Sequence, residues 1–538
     1  MNFEGQSGQR QQHRQGGQDG SGEQARTPTQ QREVERKYDI PEGAGEPDLS
    51  KLGGGLSAGE PSTEKLVAEY VDSPDLVILG ARCVLRRRTG GDDEGWHLKR
   101  PRSGDERIEL HAPVGSPRRV PPELRAEFAE ILGDRPVLPL VELTTMRTTT
   151  QVRGEVSAAD ADEAAEPQLV ALICEDAVHA KVVRLGHQRE LQWREYEVEL
   201  VGDAPPRVFD EIESVLFAAG LTASAHKSKM VRSLDGVEAT QPATARGPVG
   251  DAVVAALAQR FGEFQASEAH ARTDEPDAVH QTRVAVRRLR SVLTVYADVF
   301  TKGATDELRD ELRWVGRVLG EPRDAEVLTE LLAAEFEALA ADETQLRVPE
   351  VQELVLGWLG ERHDAAFSEF LAAVDSARWD ALHVKIVDFL ADPPFASHAE
   401  LRAAGAMRRA ARDAMSRVAA LTDRARKKPQ KSDRWHDVRK AAKSVRYAFE
   451  VLEGLPDLKA GGERKAWKRV AKAFGSVQDG ALLDDELAGL IARVQTEASD
   501  GVERPGETVE VLESVRQRIR DRHDAELVRA RDLLDDLV

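Results

Sequence analysis

The stretch Arg32-Glu33-Val34-Glu35-Arg36-Lys37-Tyr38-Asp39-Ile40 (REVERKYDI) alternates without a break. A strand's period of two puts Glu33, Glu35 and Lys37 on one face and Val34, Arg36 and Tyr38 on the other. A late stretch, 193–201, repeats the pattern with acids alone: Glu195, Glu197 and Glu199 alternate with Tyr196, Val198 and Leu200. Between them the expected strands carry base. Arg82, Arg86 and Arg88 fall together in 82–88, Lys99 lies in 95–100, Arg107 and Glu109 share a face in 107–111, and Arg147 sits in a segment that can be extended.

Two readings of these strands compete. An antiparallel sheet with one wet face would pair opposite charges across neighbouring strands. Here the signs are segregated by strand, acid on the first and last and base on the middle ones. Segregation suits a site that holds a polyanion and a divalent cation together, with carboxylates as hard oxygen ligands and Arg or Lys on phosphate oxygens.

Working outward, 33–235 reads as an α+β region built mainly on antiparallel strands. It has two expected helices, Pro121–Leu132 and Pro206–Ala219, each opened by proline and followed by glycine. Residues 155–166 are rich in Ala and acid and are expected to be a solvated loop. Residues 1–32, dominated by Gln and Gly, are expected to form a disordered tail. Residues 236–247 read as a linker, and 248–538 as entirely helical.

Composition narrows the field. The chain has 538 residues, enough for several domains. Its 75 Lys and Arg against 95 Asp and Glu leave a net charge of −20, which disfavours general nucleic-acid binding. Aromatics, at 5%, offer no stacking platform for bases. The two cysteines, Cys83 and Cys174, are too few for a disulfide framework or a thiolate zinc site and suit a reducing cytoplasm. No apolar run approaches ~18 residues, so no membrane span is expected. There is no phosphate loop of the G-x-x-x-x-G-K-[ST] type, no H-E-x-x-H helix and no G-x-S-x-G elbow.

The helical half contains an internal repeat. His280-x-x-Arg283-x-x-x-Arg287-x-x-Arg290 recurs as His436-x-x-Arg439-x-x-x-Lys443-x-x-Arg446. Downstream, Gly320-x-x-Arg323-Asp324 is matched by Gly475-x-x-Gln478-Asp479. Agreement in both order and spacing marks a duplicated unit, about 248–400 and 401–538. Offsets of 0, 3, 7 and 10 stack each basic set on one helix face. A solvated face paired to nearby acids is the plain reading of one copy; duplication inside an acidic chain favours a local anion groove.

The same residues carry two family resemblances. The opening Glu33-x-Glu35-x-Lys37 resembles the signature of the CYTH family, the triphosphate tunnel metalloenzymes. Tyr70-x-Asp72-Ser73, Leu85–Arg88, Trp96-x-Leu98-Lys99, Glu195–Leu200 and Ser228-Lys229 follow in the family's order. The resemblance implies an eight-stranded antiparallel tunnel that binds triphosphate compounds with Mg²⁺ or Mn²⁺. It implies metal ligation by Glu33, Glu35, Glu195 and Glu197, with Glu199 on the same side. Phosphate binding would fall to Lys37, Arg86, Arg88, Lys99 and Arg147, and the chemistry chiefly to Glu35, Lys37 and Arg86. Family members hydrolyse inorganic triphosphate or thiamine triphosphate, or cyclise ATP. The helical half resembles a CHAD domain through Val279–Arg290, Arg323-Asp324 and Trp435–Arg446. That resemblance implies polyphosphate binding through His280, Arg283, Arg287, Arg290, His436, Arg439, Lys443 and Arg446. The expectation is a cytoplasmic, metal-dependent triphosphatase tethered to polyphosphate, with association to polyphosphate granules. A polyphosphate-binding scaffold without turnover, a nucleotide cyclase and a thiamine triphosphatase are the alternatives.

Overall fold

The computed structural model describes residues 29–537 except 92, 102–105, 114–118, 155–166, 185–186, 227, 236–242, 343–346, 429–430, 457 and 497–503. Residues 1–28 of the expected tail, the expected loop 155–166 and most of the linker thus lie outside the described residues.

Ten strands form the first domain: β1 (Thr29–Asp39), β2 (Ser57–Ala58), β3 (Ser62–Asp72), β4 (Val84–Thr89), β5 (Gly95–Pro101), β6 (Glu106–Ala112), β7 (Leu138–Gly154), β8 (Gln168–Arg184), β9 (His187–Leu200) and β10 (Thr222–Ala223). All pair antiparallel, in the order β1-β6-β5-β4-β3-β7-β8-β9. β9 then returns to β1, with Glu35 opposite Glu199 and Lys37 opposite Glu197. Eight strands therefore close on themselves, and no edge is left unpaired along that circuit.

Closure explains why charge can fill the inside. Leu85, Trp96 and Leu98 point outward and are covered by three short helices, α1 (Val77–Gly80), α2 (Pro122–Ala126) and α3 (Ala129–Leu132). Tyr38, Val198 and Leu200 point outward beneath α4 (Arg207–Ala218). Along β1, β4, β5 and β9 these apolar positions are thus buried outside the barrel and alternate charged positions face a lumen, to which β3, β7 and β8 add Leu66, Ala68, Tyr70, Leu143 and Leu172. A fifth helix, α5 (Lys229–Ser233), is capped by Ser228 Oγ, which accepts from Val231 N.

Three local expectations are corrected. β1 begins at Thr29, because Thr29 to Val34 pair with β6. The expected helix Pro121–Leu132 is broken at Phe128, whose φ of −133° lets its ring bury in the outer core. Arg82 does not share a face with Arg86 and Arg88: it sits at φ +60° in the turn before β4.

The second domain is helical: α6 (Val249–Ala271), α7 (Ala278–Val295), α8 (Asp306–Val318), α9 (Gly320–Asp342), α10 (Val348–Val374), α11 (Ala377–Ala391), α12 (Ala403–Arg426), α13 (Ser432–Glu453), α14 (Gly461–Thr496) and α15 (Pro505–Asp535). The repeat is visible in the elements. The hairpin α6–α7 corresponds to α12–α13, the pair α8–α9 to the single long α14, and α10 to α15. Val286, Leu289 and Leu293 of α7 share one core with Val438, Ala442 and Val445 of α13, so the two halves are packed through their motif helices. Among the described residues no helix is long and apolar enough to cross a membrane.

The domains are docked. Leu138 of β7 is part of the helical core, and Val137 N donates to Gln265 Oε1 of α6 at 3.0 Å. Arg119 reaches Glu268 Oε1 of α6 at 2.9 Å, and Glu268 Oε2 lies 2.9 Å from His383 Nε2 of α11.

Candidate active site and anion groove

The barrel encloses a cavity of about 530 Å³. Its walls include Glu35 and Lys37 of β1, Arg86 and Arg88 of β4, Lys99 of β5, Glu109 of β6, Arg147 of β7, Glu197 and Glu199 of β9, and Lys229 of α5. Seven of the expected tunnel residues therefore meet in one lumen: Glu35, Lys37, Arg86, Arg88, Lys99, Arg147 and Glu197. The side chain of Glu33 lies outside the described residues; its backbone pairs with Arg107 of β6.

Glu195 does not line that cavity. The β1–β9 register places it opposite Asp39, past the end of the cavity and under α5. Its oxygens are taken by Trp193 Nε1 at 2.6 Å, Lys229 Nζ at 2.9 Å and Arg232 at 3.3 Å. Glu199, four residues further along the same face, lines the cavity, opposite Glu35.

Lys229 is the residue that strand patterns could not rank. Its ammonium lies 2.8 Å from Asp176 Oδ2, 2.9 Å from Glu195 Oε1 and 2.5 Å from Glu197 Oε1. Burial alone would lower its pKa, but Glu197, Asp176 and Glu195 hold it above the ordinary lysine value. Burial would likewise raise the Glu197 carboxyl; Lys229, Lys37 and Arg147 outweigh it and keep that group well below the usual range. Lys37 and Arg147 both contact Glu197 directly, and Arg147 also donates to both Asp176 oxygens, at 2.8 and 2.6 Å. Asp176 carried no motif: it is one polar position in a 17-residue strand. Ser228-Lys229 was legible only as a family element.

The donor chemistry suits a hard divalent cation. Asp176, Glu195 and Glu197 each present an oxygen within 4.8 Å of the others, all three in contact with Lys229 Nζ, and Glu35 and Glu199 add two carboxylates on the paired strands β1 and β9. On the opposite wall Glu109 lies between the bases Arg86 and Lys99, at 3.5 and 3.8 Å, and Asp93 lies against Arg88. Burial opposes its charge, but Lys99, His97 and Arg86 hold its carboxyl far below the usual value.

The helical half has its own charged cavity, about 520 Å³. His280 and Arg287 of α7 face Arg439, Lys443 and Arg446 of α13 there, with Arg464, Lys468 and Lys472 of α14 along one side. Arg287 Nε donates to Tyr447 Oη at 2.7 Å, a bond from one repeat to the other. Buried Nε–H groups of Arg439 and Arg446 have no hydrogen-bond partner among the described residues. Lys443 is pushed down to about 7 by burial, then by Arg439, Arg287, Arg446 and Arg283. Such an excess of cations is costly without an anion. Three residues of the expected set do not line that cavity: Arg283, near enough to act on Lys443, pairs with Asp324 at 2.7 Å, His436 Nδ1 lies 2.6 Å from Gln478 Oε1, and Arg290 is half-buried beside the charges of Arg313 and Arg287.

Comparison with known proteins agrees with this architecture. A family model described as the CYTH domain matches residues 31–234, and one described as the CHAD domain matches 255–488. The chain is 33% identical over 368 residues to two uncharacterized proteins of Mycobacterium tuberculosis, MT2285 and Rv2226, covering 66% of this chain and 69% of each relative. A solved CHAD domain from the plant Ricinus communis is 21% identical, with a TM-score of 0.41, covering 55% of this chain and 95% of that one.

Proposed function

Because the chain belongs to the CYTH family and carries a C-terminal CHAD domain, we propose that its barrel hydrolyses inorganic triphosphate or a related triphosphate compound, and that its helical domain binds polyphosphate. The observation that carries this reading is that charges of both signs are aimed into one lumen. Arg86, Arg88 and Lys99 occupy one side of the lumen, and Glu35, Glu197 and Glu199 the other. A linear chain of condensed phosphates needs both: guanidinium and ammonium groups against its oxygens, and carboxylates for its counter-cation.

Glu35, Glu197 and Glu199 are the residues we assign to a divalent metal, Mg²⁺ or Mn²⁺. Such an ion supplies Lewis-acid polarisation and a more acidic bound water. Arg86, Arg88 and Lys99 bind and orient the phosphates. Lys37 and Arg147, each on Glu197, keep that carboxylate ionised and add positive potential where charge grows on the leaving pyrophosphate. The Asp176–Glu195–Glu197 nest is filled by the Lys229 ammonium, so we assign Glu195 to holding Lys229 rather than metal. Tethering by His280, Arg287, Arg439, Lys443 and Arg446 would hold the chain at polyphosphate granules.

The test is phosphate release by the full chain from triphosphate, ATP, thiamine triphosphate and long polyphosphate, each with Mg²⁺ and with Mn²⁺. Triphosphate turnover is expected, with Glu35→Ala or Arg86→Ala lowering it on the order of 10²-fold or more. Arg287→Glu is expected to spare turnover and weaken retention on polyphosphate. No release from any of these substrates with either ion would defeat the enzymatic reading.

A further inference from the structure

One buried histidine in the cation wall is not used by the proposed reaction. His97 lies on β5, on the same face as Lys99, and its side chain is 3% exposed. Nδ1 is 2.8 Å from Glu109 Oε1, and Nε2 is 2.8 Å from the backbone oxygen of Asp93. A carboxylate and a peptide carbonyl both only accept. An imidazole satisfies two acceptors only with a proton on each nitrogen; the neutral ring makes one bond and leaves the other unmade.

What those two anchors touch gives the ring its reach. Glu109 lies against Arg86 and Lys99. Asp93, in the β4–β5 turn, pairs through its carboxylate with Arg88 Nη1. The ring therefore sits behind Glu109 and Asp93, two acids that contact the three cations assigned to phosphate. Glu109 is also a rival of the substrate, since an incoming phosphate must compete with it for Arg86 and Lys99.

Resting on the triphosphate reading of the barrel, we propose that His97 is a positioning residue for substrate affinity. It tethers Glu109 against the wall and pins the Asp93 turn, so that Arg86, Lys99 and Arg88 stay aimed into the lumen. Without that tether Glu109 swings toward the cations and occupies them as an internal anion. Arg86 and Arg88 on β4, Glu109 and His111 on β6, and Asp93 in the turn face the ring, with the His111 ring centroid at 4.8 Å. Burial, with Arg86 and Arg88, presses the ring below the usual histidine range despite the pull of Glu109. Affinity is therefore expected to be greatest below that range and to weaken as pH rises toward it.

His97→Phe and His97→Asn test this in the full chain with triphosphate and Mg²⁺. His97→Phe is expected to raise KM about tenfold, the scale of one charged hydrogen bond, with kcat nearly unchanged. It should also abolish the pH step in KM, while His97→Asn, which can still donate to Glu109, recovers part of the affinity and no pH step. A lower Tm with KM and its pH profile unmoved would mean a packing role only and would overturn the proposal. Histidine ¹⁵N resonances of the ligand-free protein, assigned by difference with His97→Asn, read the ring without turnover. A ring that carries both protons at no pH at which the protein stays folded overturns the proposal whatever the enzyme does. A normal His97 titration in a protein that turns over no substrate would count against the triphosphatase reading alone.

Discussion

Lys443 shows how far a single side chain can be displaced from its ordinary chemistry by its neighbours. It is pushed down to about 7 because burial and four surrounding guanidinium groups disfavour its charge. A bound anion reverses that and raises the pKa again. Binding should therefore take up a proton, with affinity level below about pH 7 and falling as pH rises above it. Calorimetry of long polyphosphate in two buffers of different ionisation enthalpy measures that uptake directly. Lys443→Met removes both terms: the ligand-free protein should melt at higher temperature, while anion affinity drops about tenfold or more and loses its alkaline limb. The stacking of His280 and Arg287, and of Arg439, Lys443 and Arg446, was legible from helical offsets alone. That Arg283 and His436 are spent on Asp324 and Gln478 was not, because both partners come from other helices.

At the scale of elements, β1 and β9 are the joint on which the lumen depends. Their alternation was plain in the sequence, but alternation gives a face and no depth. Glu195, Glu197 and Glu199 are equivalent by period; only the pairing with β1 shows that Glu195 falls beyond the cavity and Glu199 within it. The short helix α5 matters in the same way, since it delivers Lys229 to three carboxylates. Ser228→Ala removes the cap on Val231 N and should cost about 1 kcal/mol of stability. If α5 is what orients Lys229, triphosphate turnover should fall well beyond what that loss of stability produces, as read by kcat at a temperature where the variant is fully folded. Turnover equal to that of the unchanged protein would remove α5 from the site.

Across the whole molecule, the two domains meet through a backbone contact that admits no side chain. A Cβ on Gly262 of α6 would lie 2.2 Å from Asp134 O and 2.4 Å from Pro136 N. Gly262→Val should therefore separate the domains without unfolding either one. A calorimetric trace that melts as one unit in the unchanged protein should divide into two transitions, and a single unshifted transition would show that docking survives. Glu268 adds a pH dependence to the same interface. Burial opposes its charge, yet His383 and Arg119 hold it down to about 2 against an ordinary 4.5. Its contribution is present in full above about pH 4.5 and is lost as pH falls toward 2, so acid should weaken docking in that window.

The chain's own order of residues determined the division into a charged antiparallel portion and a duplicated helical portion, because strand and helix periods are local properties of the backbone. It also determined which side chains share a face, and hence that acids and bases could be collected separately. Tertiary structure alone decided that the β-rich portion closes on itself, with its charges in and much of its apolar surface out under helices. It likewise placed Asp176 and Lys229 among the acids, and put Glu109 and His97 behind the bases. Those outcomes depend on which strand pairs with which, and in what register. Register is set by packing between segments far apart in the chain, so no local pattern contains it.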